Sequence, residues 1–434
     1  MDSLTIGIIG VVVLFVLLFS GIPIGIVMSL VGFGGTVLIL GTTGAFGILK
    51  TVPYTTVASY SMSVVPLFVL MGQFALFSGV SKDLFKSANK WIGHLPGGLT
   101  VASIVSCAFF SAICGSSAAC TATVGAVAMP EMKKLNYRPG FAAACLAVGG
   151  TFGILIPPST AFIIYGVIAE QSIGRLFIAG IVPGLLLLLL YTLATVIMAK
   201  RDPSLAPKGE VATWRERFSS LKGTLPMGIL FVFIMGGILL GWFTANEAGG
   251  MGAAGAFLLM LFRGQFTFRR LLDSLMETVG TAAMVFLIMI GAFIFSYFLT
   301  LSGLPQNIAL FFTGLEVSRY VILIGILLLY LILGVLMDEL AMLVITTPIF
   351  LPIILGLGFD PIWYGVMMVI SMIQGQLSPP LGITLYIIAA MDREVPLKDV
   401  FKYVMPYLGV AVLFMFILIG FPQIALFLPN LMRG

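Results

Sequence analysis

Gly153-Ile154-Leu155-Ile156-Pro157-Pro158-Ser159 and Gly375-Gln376-Leu377-Ser378-Pro379-Pro380-Leu381 each set a Pro-Pro pair inside a hydrophobic stretch otherwise long enough to cross a bilayer. Proline cannot donate to the helical ladder and its ring collides with the preceding turn, so each pair breaks a helix and frees backbone groups. Lipid cannot satisfy those groups. Paired breaks therefore predict a protein-lined cavity or a bound ion at both places, an arrangement typical of membrane transporters.

The composition of the 434 residues, 60% hydrophobic and 9% charged with a mean hydropathy of +1.16, excludes a water-soluble globule. The apolar runs exceed the roughly ten residues of an outer-membrane strand and lack period-2 alternation, so they predict helices and not a β-barrel. The net charge of +5 resides in Lys and Arg between apolar segments. That placement sets orientation and gives no reason to invoke nucleic acid. Cys107, Cys114, Cys120 and Cys145 lie in apolar segments without CxxC or Cys/His spacing and read as packing residues. Met1-Asp2-Ser3 carries no basic region, and the run from Leu4 to Phe19 reads as a retained first span.

Pro130, Pro139 and Pro157 recur at Pro352, Pro361 and Pro379, in each case 222 positions on, while Phe74, Ser78 and Gly79 recur at Phe298, Ser302 and Gly303 with an offset of 224. The chain reads as a duplication with one two-residue indel, residues 1–222 forming the first repeat and 223–434 the second. Three basic loops are expected on the cytoplasmic side: Lys82, Lys86 and Lys90; Lys133, Lys134 and Arg138; and residues 200–222. The apolar region of about 98–130 must leave that side and return to it, yet is too short for two crossings of about 20 residues each. It predicts a re-entrant hairpin with its tip at Cys114-Gly115-Ser116-Ser117.

The matching second hairpin spans about 320–355, with its tip at Met337-Asp338-Glu339. Its flanks are poor in Lys, whereas Arg393, Lys398 and Lys402 form a later basic loop, so this hairpin is expected to enter from outside. The fold class is thus an all-α polytopic membrane protein of two inverted-topology repeats, each with about five transmembrane helices, one re-entrant hairpin and one proline-broken helix. The broken helices fall at about 140–169 and 361–391, and both termini are expected in the periplasm. Residues 42–58 and 263–276 read as interfacial helices.

The first hairpin and break supply Ser116, Ser117, Thr121, Thr151, Ser159 and Thr160, with backbone carbonyls around Gly153 and Pro157. Hydroxyl and carbonyl oxygens of this kind suit a hard monovalent cation, although Ser and Thr also cap helices and bond across them. The second site draws on Asp338, Glu339, Thr346 and Thr347, and on Gln374, Gly375, Gln376, Ser378, Pro379 and Thr384. Asp338 is the sharper carboxylate candidate, its alternative role being a helix cap. Helix halves restarting after Pro158 and Pro380 present amide groups that favour an anionic cargo. Ser159, Thr160, Gln374, Gln376 and Thr384 are the candidate cargo contacts. His94, the sole histidine, falls in a basic loop and reads as solvated or capping.

At these motifs the chain resembles the large membrane subunit of the tripartite ATP-independent periplasmic (TRAP) transporters, the DctM-like family. The matching residues are Gly115-Ser116-Ser117, Pro130, Tyr137, Gly153-x-Leu155-Ile156-Pro157-Pro158-Ser159 and Tyr165-Gly166, then Glu247-Ala248, Met337-Asp338, Pro348, Pro352 and Pro379-Pro380-x-Gly382. The resemblance implies sodium-driven import of an organic anion across the bacterial cytoplasmic membrane by an elevator movement. Sodium acts as coupling ion and no other cofactor is implied. The implied partners are a separate small four-helix membrane subunit and a soluble periplasmic binding protein. The chain departs from the family pattern at Cys114, Asn136, Gln374 and Gln376, and the glutamines are candidate determinants of cargo identity. A binding-protein-independent carrier of the broader ion-transporter superfamily would show similar hairpins. An intramembrane hydrolase, suggested by Gly115-Ser116-Ser117 alone, lacks a base near the serine.

Overall fold

The structure is a computed structural model that describes residues 2–209, 211–314, 316–380, 382–392 and 395–432. Leu381 and Arg393, singled out above in the second motif and the last basic loop, lie outside the described residues.

The described residues form helices joined by short turns: α1 Ser3–Leu18, α2 Ile24–Val57, α3 Val64–Phe77, α4 Val80–Ile92, α5 Gly98–Cys114, α6 Ser117–Lys134, α7 Pro139–Gly150, α8 Thr160–Ile168, α9 Ile173–Arg201 and α10 Trp214–Leu221. There follow α11 Leu225–Leu239, α12 Ala245–Phe262, α13 Phe268–Ser302, α14 Leu304–Thr313, α15 Arg319–Leu336, α16 Glu339–Gly356, α17 Pro361–Leu377, α18 Ile383–Met391, α19 Leu397–Gly420 and α20 Gln423–Leu431. Seven helical segments among them are long and apolar enough to cross a membrane, or eight if the bent pair α10–α11 counts as one span. The chain is an all-α polytopic membrane protein.

A two-helix hairpin followed by a broken helix occurs twice. Hairpin α5–α6 turns at Gly115, whose φ of 63° is a left-handed value that glycine adopts without a Cβ penalty. Hairpin α15–α16 turns at Met337 and Asp338. Helix α7 runs into a short 3₁₀ turn, Thr151–Ile154, before the Pro157–Pro158 bond, and α17 ends at Leu377 before Pro379–Pro380. Both Pro-Pro bonds are cis.

Around these elements, α2 packs along α13 and α12 along α3. The first contact is backbone on backbone: a Cβ on Gly25 would lie 2.5 Å from the Leu287 carbonyl oxygen, one on Gly291 would lie 2.3 Å from that of Gly25, and one on Gly32 would meet the Phe295 backbone at 2.8 Å. In lipid no hydrophobic drive brings helices together, so such small-residue seams supply the packing.

Two sequence expectations are corrected. Residues 263–276 are no separate interfacial helix: residues 263–267 form a turn and 268–276 are the first turns of the 35-residue α13. Helix α2 breaks at Gly41 (φ 75°), but α13 carries no proline and no such break, and at 1.5 Å per residue it spans about 52 Å. That length exceeds an apolar core of about 30 Å. Likewise Lys82, Lys86 and Lys90 sit on the amphipathic helix α4 and not in a loop. Their i, i+4 spacing puts them on one face. Trp91 of α4 meets Trp214 and Phe218 of α10, and Lys90 pairs with Glu216 at 3.0 Å.

Candidate functional site

Both hairpin tips are helix N-termini with an oxygen cap. The Ser116 hydroxyl accepts from the Ala119 amide at 3.4 Å, and the Asp338 carboxylate accepts from Leu340 and Ala341 at 2.8 and 3.2 Å. A cap side chain that turns back onto its own first turn sends the next residue another way, because successive helical residues point about 100° apart. The next residues are Ser117 and Glu339, and they meet: the Ser117 hydroxyl donates to the Glu339 carboxylate at 3.4 Å. Gln376, on the last turn of α17, donates its side-chain amide to the same oxygen. One carboxylate thus joins both hairpins and one break.

The first tip also lies on the first break. A Cβ on Gly153 would fall 2.6 Å from both the Ser116 carbonyl carbon and the Ser117 nitrogen, so only glycine admits the hairpin backbone here. Thr160 donates to the Gly115 carbonyl at 3.1 Å, holding the tip from the far side of the prolines. Ser159 caps α8 through the Phe162 amide at 3.4 Å and donates to the Ile154 carbonyl at 2.5 Å. Thr121, one turn beyond Ser117, presses on the Gly150 backbone, and its buried hydroxyl oxygen has no hydrogen-bond partner. Thr151 donates to the Val148 carbonyl at 2.7 Å. Ser116, Ser117, Thr121, Thr151, Gly153, Pro157, Ser159 and Thr160 therefore occupy one neighbourhood.

The second set is less united. Gly375 abuts Gly334, a turn before the tip, with a Cβ distance of 2.4 Å to the Gly334 Cα. Ser378, beside Pro379, donates back to the Gln374 carbonyl at 2.7 Å, and Thr384 donates to the Gln376 carbonyl at 3.2 Å. Thr346 is committed elsewhere, to the Met342 carbonyl at 2.6 Å and the Tyr330 hydroxyl at 3.0 Å. Thr347 likewise bonds the Leu343 carbonyl. Gln374 points to Met415 on α19, away from the hairpin tips, and its amide oxygen is unpartnered. Asp338 is exposed and occupied by its capping bonds. Glu339, next to that cap, is the carboxylate that reaches across.

The chain matches the family described as "Tripartite ATP-independent periplasmic transporter, DctM component" over residues 11–424. It is 35% identical over 404 residues to the C4-dicarboxylate TRAP transporter large permease protein DctM of Pseudomonas aeruginosa, spanning 90% of this chain and 93% of that one. It is 33% identical over 424 residues to the sialic acid TRAP transporter large permease protein SiaM of Vibrio cholerae, spanning 96% and 97%. Among solved structures, the YdaH transporter of Alcanivorax borkumensis superposes with a TM-score of 0.61 at 17% identity, covering 89% of this chain and 91% of that one. At that identity the likeness concerns the fold alone.

Proposed function

The chain belongs to the DctM component family of tripartite ATP-independent periplasmic transporters, and we propose that it is the large permease subunit of a sodium-coupled importer of an organic anion. In this reading it works in the bacterial cytoplasmic membrane with a small four-helix membrane subunit and a soluble periplasmic binding protein that delivers the cargo. Hairpins and broken helices move as one body against a scaffold of α2, α3, α12 and α13. The carrying observation is the meeting of Ser117 and Glu339 between the two breaks.

An inverted arrangement of the halves, with both termini in the periplasm, is supported by which loops adjoin. Lys133, on the last turn of the first hairpin, lies 3.5 Å from Asp392, which follows the second broken helix. Tyr165, near the end of the first broken helix, donates at 2.6 Å to Pro361, between second hairpin and second break. Such crossed adjacency is what a pseudo-two-fold axis in the membrane plane would produce.

Sodium binding is supported by the donor set. Ser116, Ser117, Thr121 and Thr151, with carbonyls around Gly153 and Pro157, offer neutral oxygens at the first tip, and the Thr121 oxygen is buried without a partner. At the second, Asp338, Ser378 and the carbonyls near Gly375 and Pro379 offer oxygens, while Thr346 stands apart. The sliding reading is supported by an apolar seam. Among the described residues, no hydrogen bond links α2, α3, α12 or α13 with the hairpins or broken helices, and Phe68 and Val69 of α3 face Ile113 and Ile163 there.

The test is uptake of labelled cargo into vesicles holding the permease, its small subunit and the binding protein. Import should follow an inward sodium gradient and stop when that gradient is collapsed. Sodium-indifferent import would defeat the coupling, and import without the binding protein would favour an independent carrier.

A further inference from the structure

Glu339 places a carboxyl group in a region without a countercharge. From Tyr320 to Asp392 the sequence contains no Lys, Arg or His, and among the described residues no basic group lies within ion-pair distance of this carboxylate. The Ser117 hydroxyl and the Gln376 amide donate to one of its oxygens. Gln376 is 6% exposed, and its own carbonyl oxygen, on the same amide that touches Glu339, has no partner.

The cluster therefore holds more acceptors than donors. Of these acceptors the Gln376 carbonyl oxygen is buried without a partner, beside a carboxylate with nothing positive near it. A lone first-turn carboxylate is stabilised by its helix N-terminus, but the orphaned amide oxygen gains nothing from that. Acceptors left in this state inside a membrane domain are accounted for by a ligand that brings positive charge and several N–H groups. A protonated amine offers three donors to a carboxylate and an amide oxygen of this kind.

We infer that Glu339 and Gln376 bind the protonated nitrogen of a zwitterionic cargo, whose acid group is the anion of the proposed function. The inference rests on that transport reading and narrows its cargo to acids bearing a cationic nitrogen. A simple dianion would approach Glu339 and Asp338 with no basic side chain between Tyr320 and Asp392 to offset the repulsion. Gln376 is the specificity-determining residue on the broken helix, and Glu339 its charged partner on the hairpin.

The experiment identifies, by mass spectrometry, the ligand that co-purifies with the cognate binding protein, and measures its uptake by the complete complex in vesicles. The ligand should carry a protonated nitrogen beside its acid. The isosteric Glu339→Gln variant should raise the half-saturating cargo concentration at least tenfold while leaving the half-saturating sodium concentration within twofold. Gln376→Leu should act in the same direction from the opposite element, and carries the test if Glu339→Gln fails to assemble. Sodium-driven uptake of a cargo with no cationic nitrogen overturns this inference and leaves the transport reading standing. A sodium shift without a cargo shift overturns it too, assigning the carboxylate to an inorganic cation. Wild-type vesicles that import nothing defeat the transport reading itself.

Discussion

The hydroxyl of Ser117 and the carboxylate of Glu339 lie 3.4 Å apart in space and 222 positions apart in the chain, and each is the first residue of the helix that descends from its hairpin tip. The two helix N-termini thus face one another across a single carboxylate, whose charge both favour.

Removing the hydroxyl tests that relationship. Hydrogen bonds to charged groups contribute about 1.5–3 kcal/mol, and about 1.4 kcal/mol is tenfold in an equilibrium. Ser117→Ala should weaken sodium-dependent uptake by roughly tenfold while the protein remains inserted and monodisperse. Unchanged sodium affinity would remove Ser117 from the ion site.

Gly153 is the point where the first hairpin backbone crosses the first break. Gly153→Ala would place a methyl group 2.6 Å from the Ser116–Ser117 peptide, forcing the tip away. Overpacking of this kind costs about 1–3 kcal/mol, so thermal unfolding in detergent should occur several degrees lower. Sodium dependence should be lost with it, because neither partner of the clash is a flexible side chain.

The scaffold seam makes a separate prediction. Gly291→Ala sets a Cβ 2.3 Å from the Gly25 carbonyl oxygen and should destabilise α2 against α13 by a similar 1–3 kcal/mol. Uptake should fall with the amount of folded protein. The half-saturating sodium concentration of the surviving fraction, measured in vesicles, should match wild type.

Loop adjacency predicts topology. Single cysteines at Lys133 and Lys398 should both react with a membrane-impermeant maleimide from the cytoplasmic side of oriented vesicles. Labelling from opposite sides would refute the inverted arrangement.

A pH prediction concerns the α4–α10 pair. The Thr213 backbone amide, then Lys90, hold the Glu216 carboxyl down at about 2, below its ordinary 4.5. A carboxyl lowered in the folded state adds stability above its ordinary value, and that contribution is lost as pH falls through the lowered one. Hydrogen exchange over residues 213–221 should therefore speed up, after correction for intrinsic rates, between pH 4.5 and about 2. Glu216→Gln should abolish that step.

The breaks and the first hairpin tip were legible because they are written in glycine and proline, whose backbone consequences are local, and the second tip, Met337-Asp338, followed from the fixed offset at which the prolines recur. The basic face of α4 was legible in principle, since Lys82, Lys86 and Lys90 keep a four-residue spacing, but charge near a membrane also reads as a loop. The choice between Asp338 and Glu339 was not legible. Either can cap a helix, and which does so depends on one backbone rotation at the tip. The two glutamines were half legible: two positions apart, they point about 200° from one another, so only one could face the hairpin. That it is Gln376, with Gln374 turned to Met415, depends on how α17 packs against α19.

The Ser117–Glu339 contact also orders events during synthesis. A ribosome adding about 5–20 residues per second needs roughly 11–44 seconds to progress from one to the other. Through that interval the first tip waits in the bilayer with its hydroxyl unanswered, so newborn chains arrested halfway present a polar, unfinished surface. Quality-control proteases that patrol the membrane would meet it there, and a stop codon anywhere between the two residues leaves a fragment that can never close.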